Sequence, residues 1–287
     1  MTLVLPTPAV VPTRRRKTGA FTVYELSVFV VVAALVLLAA IGPFLAPASI
    51  YTSNMLMTLM PPSPQNWLGT DDQGRDIFWR LVAGAQLSLF STVIVVILYS
   101  AIGTLIATLA TVGPRWVDEL LMRITDIGMS LPGLVVALGI ATVLGPSLQS
   151  GIIALALTGW PMTARILRTT MRQTMEQPFV EGARILGVSR TRLMLKHVLP
   201  NSVDVLIVKW AGDISYTMLI LAGLSFIGVG AQPPSPEWGA MISGARSYMS
   251  IAWWAVAAPG VAIVVNAIAF ALLADILQVR RDPSLRS

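Results

Sequence analysis

Long apolar runs alternate with short polar segments along the chain, and the length of each run decides what it predicts. The first run, from Tyr24 to Leu45, follows the basic cluster Arg14, Arg15, Arg16 and Lys17. It fills a bilayer, whereas a secretory-signal core is only about 7–15 residues long, so it predicts a first transmembrane helix. Residues 46–86 are polar and proline-rich, with Pro61-Pro62, Pro64 and turn signals at Gly69 and Gly74, and they predict an extracytoplasmic loop. A second span is expected over Leu87–Val112. A third opens at Leu131-Pro132-Gly133 and ends near Gly145-Pro146, since proline costs little in a first helical turn. The fourth begins about Gly151, the fifth covers about Val203–Val229, and the sixth runs from the interfacial Trp253-Trp254 to about Leu277.

Two polar segments between these runs keep a helical period. From Arg115 to Ile127, Val117, Leu120, Leu121, Ile124 and Ile127 share one face while Asp118, Glu119, Arg123 and Asp126 lie elsewhere, which predicts an amphipathic helix at the cytoplasmic surface. Beyond Gly159-Trp160-Pro161, Arg165, Arg168 and Arg172 recur on one helical face and lead into residues 178–200, the most polar long stretch of the chain. That stretch predicts two short helices broken at Gly187, where glycine admits a left-handed turn. Ser189 is placed as the N-cap of the second helix, and Leu199-Pro200 as its stop.

Composition agrees with a polytopic membrane protein: 55% of the 287 residues are hydrophobic and 12% are charged. The net charge of +6 does not point to nucleic acid, because the basic residues flank the apolar runs instead of forming one stripe. Sixteen of the twenty Lys and Arg fall on the side expected to be cytoplasmic, against Arg75, Arg80 and Arg246 outside, so both termini are expected in the cytoplasm. Lys209 falls inside the fifth span, four residues before Asp213. Ionisable groups at membrane depth are functional suspects, but this spacing also allows a mutually neutralising pair near the cytoplasmic end, which is the reading adopted.

The chemistry the chain lacks narrows its role. It has no cysteine, and no phosphate-binding loop surrounds any of its three lysines, Lys17, Lys196 and Lys209. It is therefore read as a non-enzyme with no cofactor or metal site of its own. The single histidine, His197, is expected to pack or cap within the hairpin. Asp71, Asp72 and Asp76 lack calcium-loop spacing, and Arg75 and Asp76 are read as ion-pair and turn residues.

Residues 178–200 resemble the coupling loop of ABC-importer permeases through Glu181, Gly182, Ala183, Gly187, His197, Leu199 and Pro200. Gly182 stands where alanine is usual, and His197 where isoleucine is. Leu68-Gly69-Thr70-Asp71, followed by Gly74-Arg75-Asp76, is similar to a signature of C-type peptide and nickel permeases, although Asn66-Trp67 replaces the expected His-Pro. Trp116–Arg123, Gly159-Trp160-Pro161 and residues 224–240 carry further likeness, with Leu221 where the family would place a glutamate. The resemblance covers nearly everything after Pro61 and identifies the C-type permease subunit of dipeptide, oligopeptide and nickel importers.

It implies an all-α type-1 permease with six transmembrane helices in a prokaryotic inner membrane. Residues 1–85 would hold the tail, first helix and outer loop, residues 86–278 the permease domain, and residues 279–287 a second tail. The implied partners are a homologous B-type permease, one or two cytosolic ATPases that carry ATP and Mg, an extracytoplasmic solute-binding protein and membrane lipid. Short peptides are the expected cargo, with nickel, metal-chelate or haem import as the alternative, and an ion-coupled secondary transporter as the reading from another class.

Overall fold

The computed structural model describes residues 21–281, so Arg14 to Lys17 and Arg286 lie outside the described residues. Helix α1, Val23–Leu45, starts at a capping box in which Thr22 and Glu25 satisfy each other's backbone N–H groups. After a looped segment, α2 runs over Ile77–Val112, with Asp76 accepting from the Trp79 N–H at its start. Its 36 residues correspond to about 54 Å, well beyond a hydrocarbon core of about 30 Å.

The second span therefore begins ten residues before the expected Leu87. Arg80 is what disguised this in the sequence. It is 2% exposed, and its guanidinium donates to the carbonyls of Ile50, Pro234 and Ser235, so a charge that suggests a loop is satisfied inside the helix bundle.

Helix α3, Arg115–Ser130, and helix α4, Gly133–Leu144, meet at a bend of 88°. The sequence placed a full third span at 131–146, but α4 has 12 residues, or about 18 Å, and Gly145 ends it. Only if the bent pair is taken as one span do the described helices offer a sixth crossing. Helix α5, Leu148–Met175, passes through Pro161 without interruption, so the fourth apolar run and its arginine-bearing extension are one rod.

Next come α6, Pro178–Ile185, and α7, Arg190–Leu193, followed by a π-turn over Met194–Val198 and the short α8, Leu199–Ser202. Helix α9, Asp204–Ile227, α10, Trp238–Ala245, and α11, Trp254–Arg281, complete the chain. Five of these helices, α1, α2, α5, α9 and α11, are long and apolar enough to cross a membrane.

Helix α2 is the axis of the bundle and packs chiefly on α5. The contact depends on Gly103, where a Cβ would lie 2.8 Å from the Thr163 Cβ. One buried cluster gathers Leu89, Met218, Trp238 and Phe270 from α2, α9, α10 and α11, and a second gathers Val95, Leu155 and Leu224 from α2, α5 and α9. Outward-facing apolar residues such as Leu37, Ile97, Leu105 and Val261 remain exposed, which is the surface a lipid-facing bundle requires.

Candidate functional site

The hairpin is held to the bundle from both ends. On α5, Arg168 and Arg172 converge on Asp118 of α3, whose side chain is 7% exposed, and Arg165 pairs with Asp126. The expected surface helix is thus fastened by its acidic face to the arginine face of α5. Below it, Val180, Leu193, Met194 and Val198 form a third buried cluster with Leu167, Met171 and Leu206, so the hairpin has its own core rather than hanging as a loop.

The turn between α6 and α7 is a Schellman motif. Gly187 has φ +78°, its N–H donates to the Arg184 carbonyl at 3.0 Å, and the Val188 N–H reaches the Ala183 carbonyl at 3.2 Å. Glu181 and Gly182 face outward, while half-buried Ala183 packs against the hairpin core. Ser189 occupies the N-cap position by backbone conformation, but its side chain makes no capping bond. The Ser189 carbonyl accepts from the Leu193 N–H instead.

Leu199-Pro200 does not stop the second helix. Pro200 has no N–H and its ring would crowd the preceding turn, and the π-turn at Met194–Val198 widens the helix just there, so the chain continues helically into α8. His197 and Leu199 are half-buried within this stretch. The most exposed apolar residues of the hairpin are Ile185 and Leu186 at its tip, 80% and 85% accessible. The sequence reading passed over them, although two adjacent apolar residues before a turn glycine were the available signal.

The second feature lies between the spans. Lys209 Nζ and Asp213 Oδ2 are 2.5 Å apart, and their side chains are 13% and 19% exposed. They are paired as the spacing implied, but they also line a cavity of about 430 Å3. Tyr99 of α2 lines the same cavity, its ring centroid 5.4 Å from the lysine ammonium. Tyr99, Thr158 and the α3–α4 bend were not legible as partners of the pair, because they come from three other stretches of the chain.

In the loop before α2, Arg75 forms an ion pair as read, its partner being Asp71 at 2.7 Å, which also lies 3.5 Å from Arg80, whereas Asp76 caps α2 through the Trp79 N–H. Burial pushes the Asp72 and Asp76 carboxyls up from the ordinary aspartate range.

Comparison with known proteins places this geometry. The family described as "binding-protein-dependent transport system inner membrane component" matches residues 101–287. The chain is 36% identical to a dipeptide transport system permease protein of Alkalihalophilus pseudofirmus, covering 90% of this chain and 85% of the relative. It is 40% identical to a glutathione transport system permease protein of Escherichia coli O157:H7, covering 78% and 74%. Among solved structures, a chain of the MetNI methionine ABC transporter in inward-facing conformations superposes with a TM-score of 0.58 at 18% identity, over 71% of this chain and 97% of that one. The last comparison speaks for the fold alone. A long apolar bundle, a rigid polar hairpin and these matches together make the chain a member of the binding-protein-dependent transport system inner membrane component family.

Proposed function

We propose that this chain is the C-type permease subunit of an ATP-driven importer of short peptides. In this reading it lines half of the translocation path with a homologous B-type permease, and an extracytoplasmic binding protein delivers the cargo. One or two cytosolic ATPases, which carry the ATP and Mg, dock on the hairpin. The observation that supports docking there is the hairpin itself, a packed element continuous with α5 and α9 that presents Ile185 and Leu186 at its tip and the exposed, charged Glu181 on the first turn of α6. Force applied to such an element reaches both spans directly. The peptide cargo is supported by what the relatives of known name transport.

The deciding experiment is to purify the whole complex and measure ATP hydrolysis with its binding protein and peptide, nickel or haem. Stimulation by peptide is expected, and stimulation by nickel or haem alone would replace the cargo reading. The isolated chain is expected to hydrolyse no ATP, and saturable turnover by the chain freed of ATPase subunits would refute its passive role.

Orientation is testable because the chain has no cysteine of its own. A cysteine at Ser63 in the outer loop is expected to react with an impermeant thiol reagent in intact cells, and one at Ser189 is expected to stay unlabelled. The reverse pattern would invert the proposed topology and remove the hairpin from the ATPase side.

A further inference from the structure

Lys209 and Asp213 are charged groups on a transmembrane helix, where ionisable side chains are costly unless they pair or face a cavity. Here they do both. Around them the cavity has polar groups from Tyr99, Thr158, Tyr216 and Thr217, and its remaining wall is largely apolar, including Val95, Leu155 and Ile220. Its volume of about 430 Å3 falls within the roughly 300–1,000 Å3 of small-molecule sites.

The break between α3 and α4 supplies the opposite side, since Gly128, Met129, Leu131, Gly133 and Leu134 line the same space. Irregular backbone at membrane depth is tolerated where it lines a cavity, and interrupted helices flank binding sites in other transporters. Two independent observations thus converge on one space: a charged pair, and a helix bent by 88° beside it.

We infer that this cavity is a transit site for a short peptide with free termini, Lys209 receiving the carboxylate and Asp213 the ammonium group. The inference rests on the peptide reading above and deepens it. Both signs of charge are present, so a zwitterion replaces the single protein ion pair by two. A singly charged solute would engage one side chain and leave the other charge uncompensated at low dielectric. The lysine stem is flexible enough to swing away from Asp213 without moving α9. Tyr99, which lines the cavity with its ring 5.4 Å from the lysine, connects occupancy of the site to α2.

The test uses the complete reconstituted importer with its binding protein. Lys209→Met/Asp213→Asn removes both charges at nearly unchanged volume and leaves no unpaired charge buried. Peptide-stimulated ATP hydrolysis is expected to persist while uptake per ATP falls about tenfold. Lys209→Asp/Asp213→Lys, which restores a pair, is expected to recover most of it. Uptake per ATP equal to wild type in the uncharged variant would overturn the inference.

A second measurement stands if these variants do not assemble. A Cβ at Gly133 would meet nothing within 4 Å, so Gly133→Cys gives this cysteine-free chain one thiol in the cavity wall. Alkylation there is expected to slow about tenfold with saturating dipeptide, and to be unaffected by the same peptide acetylated and amidated at its ends. An unprotected thiol would also overturn the inference. A wild-type complex that imports no peptide would remove the cargo reading and the site together, whereas normal import with an indifferent Lys209/Asp213 pair removes the site alone.

Discussion

Replacing Gly187 by valine is expected to abolish peptide uptake and to release the ATPase subunits on purification, while Gly182→Ala leaves both intact. Gly187 is held at φ +78° by the two hydrogen bonds that close the α6 terminus. A Cβ there would meet nothing within 4 Å, so the penalty is not a clash with neighbours. It is the cost of placing a β-branched residue in the left-handed region, on the order of 1–3 kcal/mol. Because α6 has only 8 residues, it cannot absorb that strain by bending elsewhere. The turn would instead open, and Ile185 and Leu186 would leave their position at the tip.

Gly182 is the opposite case. It lies within α6, its Cβ position is open, and alanine there favours the helix by about 1 kcal/mol. The measurement is uptake together with ATPase co-purification, at matched membrane abundance of both variants. Gly187→Asn provides a graded control, since asparagine visits the left-handed region more readily than valine. Full transport with bound ATPases in the valine variant would mean that this hairpin is not the coupling element.

How much of this was legible in the sequence follows from the range of the forces involved. The apolar runs revealed the spans because bilayer thickness acts on each segment alone, and Gly187 revealed the turn because left-handed backbone is a local demand. Errors arose where distant residues changed the local balance. Arg80 belongs to a helix because carbonyls at Ile50, Pro234 and Ser235 receive it, which no window of sequence contains. Pro200 was read as a stop, but the π-turn just before it accommodates its ring. The apolar content of 131–146 suggested a full span, whereas the sharp bend after α3 spends that stretch on a short helix beside the cavity. Lys209 and Asp213 were visible as a pair by their spacing. Their cavity was not, since its walls come from α2, α5, α9 and the bend.

Glu237→Ala is expected to cause the largest loss of stability among single changes outside the hairpin. Glu237 is 1% exposed, at the start of α10. Its Oε1 accepts from the Gly239 N–H at 3.0 Å and from the Ser88 hydroxyl at 3.3 Å, and its Oε2 accepts from the Ala240 N–H at 2.8 Å. The Ser88 oxygen in turn accepts from the Trp238 N–H at 3.1 Å, so one carboxylate both caps α10 and fastens it to α2. Burial pushes the Glu237 carboxyl up, and the two backbone donors act against that rise by favouring its charged form.

Alanine would orphan two buried N–H groups and weaken the Ser88 link, each orphaned group costing about 1–3 kcal/mol. The melting temperature of the purified complex in detergent should fall by roughly 10 °C. Glu237→Gln keeps one acceptor oxygen and should lose much less. A carboxylate that served only as a surface charge would make the two variants alike, so equal melting of both, within about 1 °C of wild type, would refute this role. Helix α10 also packs on α9, and the Trp238 indole N–H donates to the Leu81 carbonyl of α2. Loosening it should therefore lower uptake even at temperatures where the complex remains assembled.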